Sequence, residues 1–180
     1  MKPWQGLLAA GGIYLAGITG NLLVQKERAV TRALSLVTDR GIINIGAGCG
    51  RTFVSRHYCD LPEVVVNIDL AVVPGCPKCL AVDLEKAALP FGDLEFDVAL
   101  ASHVLEHLPS RADCERAVRE LQRVADRVYV AGPSRQSVIA WLVPGHHLWV
   151  EEEGGVLYVE ERTWWSRAAG RDPREWDGLR

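Results

Sequence analysis

The run Ile42-Ile43-Asn44-Ile45-Gly46-Ala47-Gly48-Cys49-Gly50 carries an apolar segment straight into a glycine at every second position. Its first half reads as a buried parallel strand and its second as a tight loop opening a helix. Glycine suits such a loop because a side chain would hold the backbone away from a ligand lying across the strand end. The next apolar run, Val64-Val65-Val66-Asn67-Ile68-Asp69, closes on an acid. That spacing fits a nucleotide site in which the acid binds ribose hydroxyls.

Three further features extend the pattern. Val82-Asp83-Leu84 follows a third short apolar run, and Leu89-Pro90-Phe91 comes soon after. Phe96 to Leu108 then gives a fourth strand ending in Ser102-His103 and continuing Val-Leu-Glu-His-Leu. Together these stretches resemble the class I S-adenosylmethionine-dependent methyltransferases, in the branch whose fourth strand runs into Ser-His-Val-Leu-Glu-His-Leu. The resemblance covers about Ala29 to Gly132. The Gly-x-Gly-x-Gly spacing is that of methyltransferases rather than the Gly-x-Gly-x-x-Gly of dinucleotide enzymes.

The resemblance implies S-adenosylmethionine as cofactor and a set of residues around it. Gly46, Ala47, Gly48 and Gly50 form the loop that approaches the methionine part and the ribose. Asp69 accepts from the ribose hydroxyls, and Leu70 packs on the adenine. Asp83 accepts from the adenine amino group, and the Leu84 amide meets a ring nitrogen. Ser102 and His103 border the methyl group. Asn44 stands where the family usually has an acid that helps hold the cofactor's ammonium. Asparagine accepts a hydrogen bond but brings no charge.

Methyl transfer from an activated sulfonium asks the protein mainly for alignment. A base is needed when the acceptor is protonated at neutral pH. The candidates are His103, His107, His146 and His147, and His103, His146 and His147 are preferred. The last two follow Pro144-Gly145 on a segment placed to overhang an acceptor pocket, and a plain pair of loop histidines is the other reading. His107 is expected to cap or pack. The expected acceptor is a small molecule, with a sugar or lipid-linked hydroxyl preferred. The rival reading is a methyltransferase-like scaffold that binds a partner or membrane without turnover.

The chain has 180 residues, enough for one domain with a real core, and its 48% hydrophobic content describes a globular protein. A net charge of −3 provides no general attraction to nucleic acid, and none is expected as a partner. Residues 7–24 carry no charge, near the lower length limit for a membrane-spanning helix. Lys26, Arg28, Arg32 and Arg40 follow that run and only Lys2 precedes it, which would leave the main domain cytoplasmic. A glycine-rich helix packed on the domain is the other reading. No Ala-x-Ala site marks a cleaved leader. The organisation is therefore an apolar segment at 1–25, a methyltransferase-like domain at 26–161 and an Arg- and Trp-rich tail at 162–180.

Five cysteines at irregular spacings are expected to be reduced thiols. Cys76-Pro77-Lys78-Cys79 has metal or redox spacing but lacks a second pair. Trp141, Trp149, Trp164, Trp165 and Trp176 crowd the last quarter, as packing, as an apolar acceptor pocket or as an interfacial patch. The predicted elements alternate. A helix at Val30 to Val37 is followed by strands at 41–45, 63–69, 79–82, 96–101 and 127–131. Pro74, Gly75 and Pro77 remove the helix between the second and third strands. Ser110 caps a helix with Cys114, Ala117, Val118, Leu121 and Val124 on its apolar face. A short helix at 137–142 and a hairpin at 148–152 and 156–161 follow. The expected fold is α/β: a Rossmann-like, doubly wound, mostly parallel sheet with a reduced C-terminal part ending in a β-hairpin.

Overall fold

The computed structural model describes residues 24, 27–48, 58–72, 74–133, 138–153, 156–163 and 175–176. Its strands β1 (Ile42–Ile45), β2 (Val64–Asp69), β3 (Cys79–Ala81), β4 (Phe96–Ser102) and β5 (Ala125–Ala131) form one sheet in the order β3-β2-β1-β4-β5. All four pairings are parallel. The order reverses direction at β1, so a crevice opens where β1, β2 and β4 end. Strands β6 (Leu148–Glu153), β7 (Val156–Glu161) and β8 (Glu175–Trp176) make a second, antiparallel sheet.

Alternation explains why β1 sits at the centre. Every residue of β1 and of β4 is buried. Ile43 and Ile45 join Ala99 and Ala101 in one core, while Ile42 joins Val98 and Leu100 in a second core on the other face. The second core is closed by Ala29, Val30 and Ala33 from a helical stretch at 27–34. The first is closed by helix α1 (Arg111–Val124), whose buried residues are the five with helical spacing named above. Burial of Val118, Leu121 and Val124 contributes roughly 2 kcal/mol each. Ser110 starts α1 by accepting from the Asp113 N–H through its hydroxyl, a cap worth about 1 kcal/mol. Burial pushes the Cys114 thiol up to about 12, so it stays an inert core residue.

The link from β2 to β3 is made of turns among its described residues. Helix α2 (Val138–Leu142) precedes the second sheet. Leu148, Val150, Leu157 and Val159 from that sheet share the α1 core. Trp149 points the other way yet is 0% exposed. Trp141 covers it at 4.7 Å between ring centroids, and the Arg162 guanidinium lies over both rings. Trp149 is thus packing, not pocket.

Two expectations change. Glu175–Trp176, inside the segment expected to be a loose tail, pairs with β7 through Leu157 and Tyr158. Cys59 and Cys76 are disulfide-bonded, whereas Cys79 and Cys114 are free. The fold brings Cys59 and Cys76 together against Ala47, which the irregular sequence spacing concealed. Of the apolar run at 7–24, only Val24 is among the described residues. No helix of the described residues is long and apolar enough to cross a membrane.

Candidate functional site

A cavity of about 630 Å³ lies at the carboxyl ends of β1, β2 and β4. Gly46, Gly48, Asp69, Leu70, Asp83, Leu84, Ser102, His103 and His147 all line it. Gly50 lies outside the described residues.

Gly46 turns the chain away from β1 at φ +65°, and Gly48 follows at φ +57°. A Cβ on Gly46 would meet the Cβ of Val104 at 2.6 Å. Here the glycine is required by a neighbouring side chain as well as by the backbone. Gly46→Ala is expected to destabilise the fold by about 2 kcal/mol, combining left-handed strain with the clash. A thermal melt checks this, and an unchanged midpoint would refute it.

The Asp69 carboxylate fixes the loop it faces. Oδ2 accepts from the Gly48 N–H at 2.8 Å, and Oδ1 accepts from the Leu70 N–H at 2.8 Å. Each oxygen has two lone pairs, so each retains one for a ligand in the cavity. Leu70 beside it is 71% exposed, an apolar surface at the cavity mouth. Asp83 accepts from the Glu85 N–H and pairs with Lys86 at 2.7 Å. The hydrogen bond from Lys86 is the main cause holding its carboxyl below the usual value.

At the other end, Ser102 and His103 close β4. The Ser102 hydroxyl and the His103 Nε2 are buried, with no hydrogen-bond partner among the described residues. His103 adopts φ +57°, unusual for a residue with a side chain, and its N–H donates to the Ala131 carbonyl at 2.7 Å. Its Nδ1 lies 3.4 Å from Oε1 of Glu106. The unpaired hydroxyl and imidazole nitrogen are polar groups left for a ligand.

Two residues expected at the cofactor and one expected as a base do not line this cavity. Asn44 does not line the cavity. Its amide donates to Asn67 Oδ1 at 2.8 Å, and Asn67 in turn donates to the Cys59 and Pro77 carbonyls. The pair is a buried amide link between β1 and β2. Strand alternation puts Asn44 on the face opposite Ile43 and Ile45. Ala47 is 2% exposed, packs on Cys59 and donates its N–H to the Ile68 carbonyl. His146, expected as a base, lines a separate cavity of about 410 Å³ with Pro109, Pro144 and Arg162. Burial is the main cause lowering its imidazole below the ordinary histidine value.

Sequence reasoning missed Glu106. It lies on a 3₁₀ turn at Leu105–His107 and is 1% exposed, with neither carboxylate oxygen hydrogen-bonded among the described residues. The signal was its spacing, three residues after His103. His107, expected to pack, lines the main cavity and holds Nδ1 2.8 Å from the Gly145 carbonyl oxygen. Its ring meets that of His146 edge-on at 4.7 Å.

Comparison with known proteins fits this arrangement. Residues 45–127 match the family model of a methyltransferase domain. Two solved structures share the fold. One comes from a complex that contains the Haloferax volcanii Trm112 methyltransferase activator: 16% identity, TM-score 0.51, covering 80% of this chain and 76% of that one. The other is a SAM-dependent methyltransferase from Archaeoglobus fulgidus: 17% identity, TM-score 0.52, covering 69% of this chain and 60% of that one. No curated protein matches the chain.

Proposed function

We propose, from the premise that this chain is a class I S-adenosylmethionine-dependent methyltransferase, that it methylates a small-molecule hydroxyl presented between His103 and His147. The observation that supports this reading most is the single cavity joining the Asp69 carboxylate at one end to the buried, unpartnered Ser102 hydroxyl and His103 imidazole nitrogen at the other. One end offers acceptors for a ribose diol, and the other offers groups for an acceptor.

S-adenosylmethionine, when bound, supplies a methyl carbon already activated by its sulfonium, so no protein nucleophile is needed. Asp69 would hold the diol with the lone pairs that Gly48 and Leu70 leave free. Leu70 would cover a face of the base, and Asp83 with the backbone at Leu84 would meet its edge. His103 takes the acceptor's proton at Nε2, and Glu106 stabilises the resulting imidazolium from the Nδ1 side. His147 borders the same space, and its N–H is tied to the Glu106 carbonyl at 2.7 Å. A sugar or lipid-linked acceptor remains the preferred class, because the work at this end is to deprotonate a hydroxyl.

Calorimetric titration of the purified chain with S-adenosylhomocysteine should give one-site binding, and absence of heat would overturn the reading. His103→Asn keeps a residue tolerant of the left-handed backbone. It should lower methyl transfer about 100-fold while leaving affinity for S-adenosylhomocysteine within about threefold, since the base acts on the acceptor rather than the nucleoside.

A further inference from the structure

Glu106, His107 and His146 each offer one ligating atom, and these atoms lie within 4.8 Å of one another. We propose that these three side chains bind one divalent transition-metal cation between the main cavity, which His107 lines, and the smaller one, which His146 lines. Glu106 makes the first argument. It is 1% exposed, neither carboxylate oxygen has a hydrogen-bond partner among the described residues, and the His103 Nδ1 that lies 3.4 Å from Oε1 brings charge only when protonated, leaving Oε2 for a cation. A carboxylate so placed is costly unless a cation or hydrogen bonds compensate it. His146 Nδ1 makes the second, being buried and equally without a hydrogen-bond partner.

The third argument is the way the ligands are held. His107 has Nδ1 on the Gly145 carbonyl oxygen, the contact that fixes a ligating imidazole's tautomer and leaves Nε2 as the donor atom. The His147 N–H bonds the Glu106 carbonyl, and Arg162 Nη1 donates to the His146 carbonyl at 3.0 Å. The loop carrying His146 is therefore fastened to the turn carrying Glu106 and His107. Metal–donor bonds of about 2.1 Å need only a small inward rotation of these side chains.

Two imidazoles and one carboxylate suit zinc, manganese, iron or cobalt in the divalent state better than calcium or magnesium. Three protein ligands leave a coordination position open. Resting on the methyltransferase reading, that position would take the oxygen of the acceptor, which narrows the substrate to molecules with a hydroxyl able to coordinate a cation.

The test uses the full chain after chelator treatment, titrated calorimetrically with zinc and manganese, and with cobalt monitored by its visible absorption. One equivalent should bind, and cobalt should give the bands of a nitrogen- and oxygen-ligated ion. Glu106→Gln and His146→Ala should each weaken affinity at least tenfold. His107→Ala changes an exposed position and serves if the buried variants fail to fold. No binding by any of the three cations would overturn the proposal. So would binding unaltered in His107→Ala and His146→Ala, or a cobalt spectrum showing thiolate ligation. S-adenosylhomocysteine binding without cation binding refutes the metal site alone. Cation binding without S-adenosylhomocysteine binding refutes the methyltransferase reading and leaves the metal site standing.

Discussion

Asp97→Ala is expected to destabilise the protein by about 4 kcal/mol at pH 7, a large share of the 5–15 kcal/mol typical of a domain. Asp97 is the second residue of β4 and is 3% exposed. Its carboxylate accepts from the N–H groups of Thr38, Arg40 and Gly41, from the Thr38 hydroxyl and from Arg40 Nε. Arg40 also pairs with Asp126 at the start of β5. This one side chain therefore anchors the segment that leads from the 27–34 helix into β1. Gly41 completes the anchor from the other side. At φ +76° its carbonyl accepts from the Asp97 N–H, and a Cβ there would meet Val65 at 2.4 Å. Alanine at 97 would leave three backbone donors without their acceptor.

The same residue predicts an acid limb. Burial pushes the Asp97 carboxyl up, but the bonds from Thr38, Gly41 and Arg40 outweigh it and hold the group at about 2, below the ordinary 3.8. A carboxyl lowered on folding stabilises above its unfolded value, and that stabilisation is lost as pH falls toward the folded value. The contribution, roughly 2.5 kcal/mol, should be complete above about pH 5 and vanish between pH 4 and pH 2. Urea midpoints across that window should fall in the parent chain and flatten in Asp97→Asn. Parallel curves for the two proteins, or a loss below about 1 kcal/mol in Asp97→Ala, would remove Asp97 from its structural role.

What the sequence disclosed and what it hid follow from how far apart the deciding residues lie. The strands at 42–45 and 96–102 were legible because both faces are buried, so apolar residues run without a break. The apolar face of α1 was legible from its period. The start of β5 was placed two residues late because α1 passes from Val124 directly into Ala125 with no loop to mark the change. The pairing of β8 with β7 was hidden because a two-residue strand has no pattern of its own. Within the site, the glycine turn, Asp69, Asp83 and the Ser102-His103 end carry local signatures. The buried link from Asn44 was hidden because its partner, Asn67, is 23 positions away and its face of the strand is set by pairing. Glu106 was silent for a different reason. A charged residue on a short turn reads as solvent-facing, and only the returning loop at 144–147 reveals that it is enclosed.

Asp69→Ala is expected to reduce affinity for S-adenosylhomocysteine roughly thousandfold. The figure follows from two hydrogen bonds to a charged acceptor, at about 2 kcal/mol each. The carboxylate has four lone-pair positions, and the Gly48 and Leu70 N–H groups take two. Asp69 lines the cavity, and each oxygen keeps one free lone pair, the number a vicinal diol would use. The residue also fixes the loop, so the alanine variant alone would mix lost contacts with lost order. Asp69→Asn separates them. It keeps the shape and one carbonyl acceptor, but its amide turns donors toward a backbone N–H or toward the ligand. Its melting temperature should stay near that of the parent while its affinity falls at least 30-fold. A nucleoside lacking one ribose hydroxyl should bind the parent about 30-fold more weakly, yet bind Asp69→Ala no worse than the complete nucleoside does. If the alanine variant still discriminated between the two nucleosides, another group would be holding the diol, and Asp69 would be a loop fastener alone.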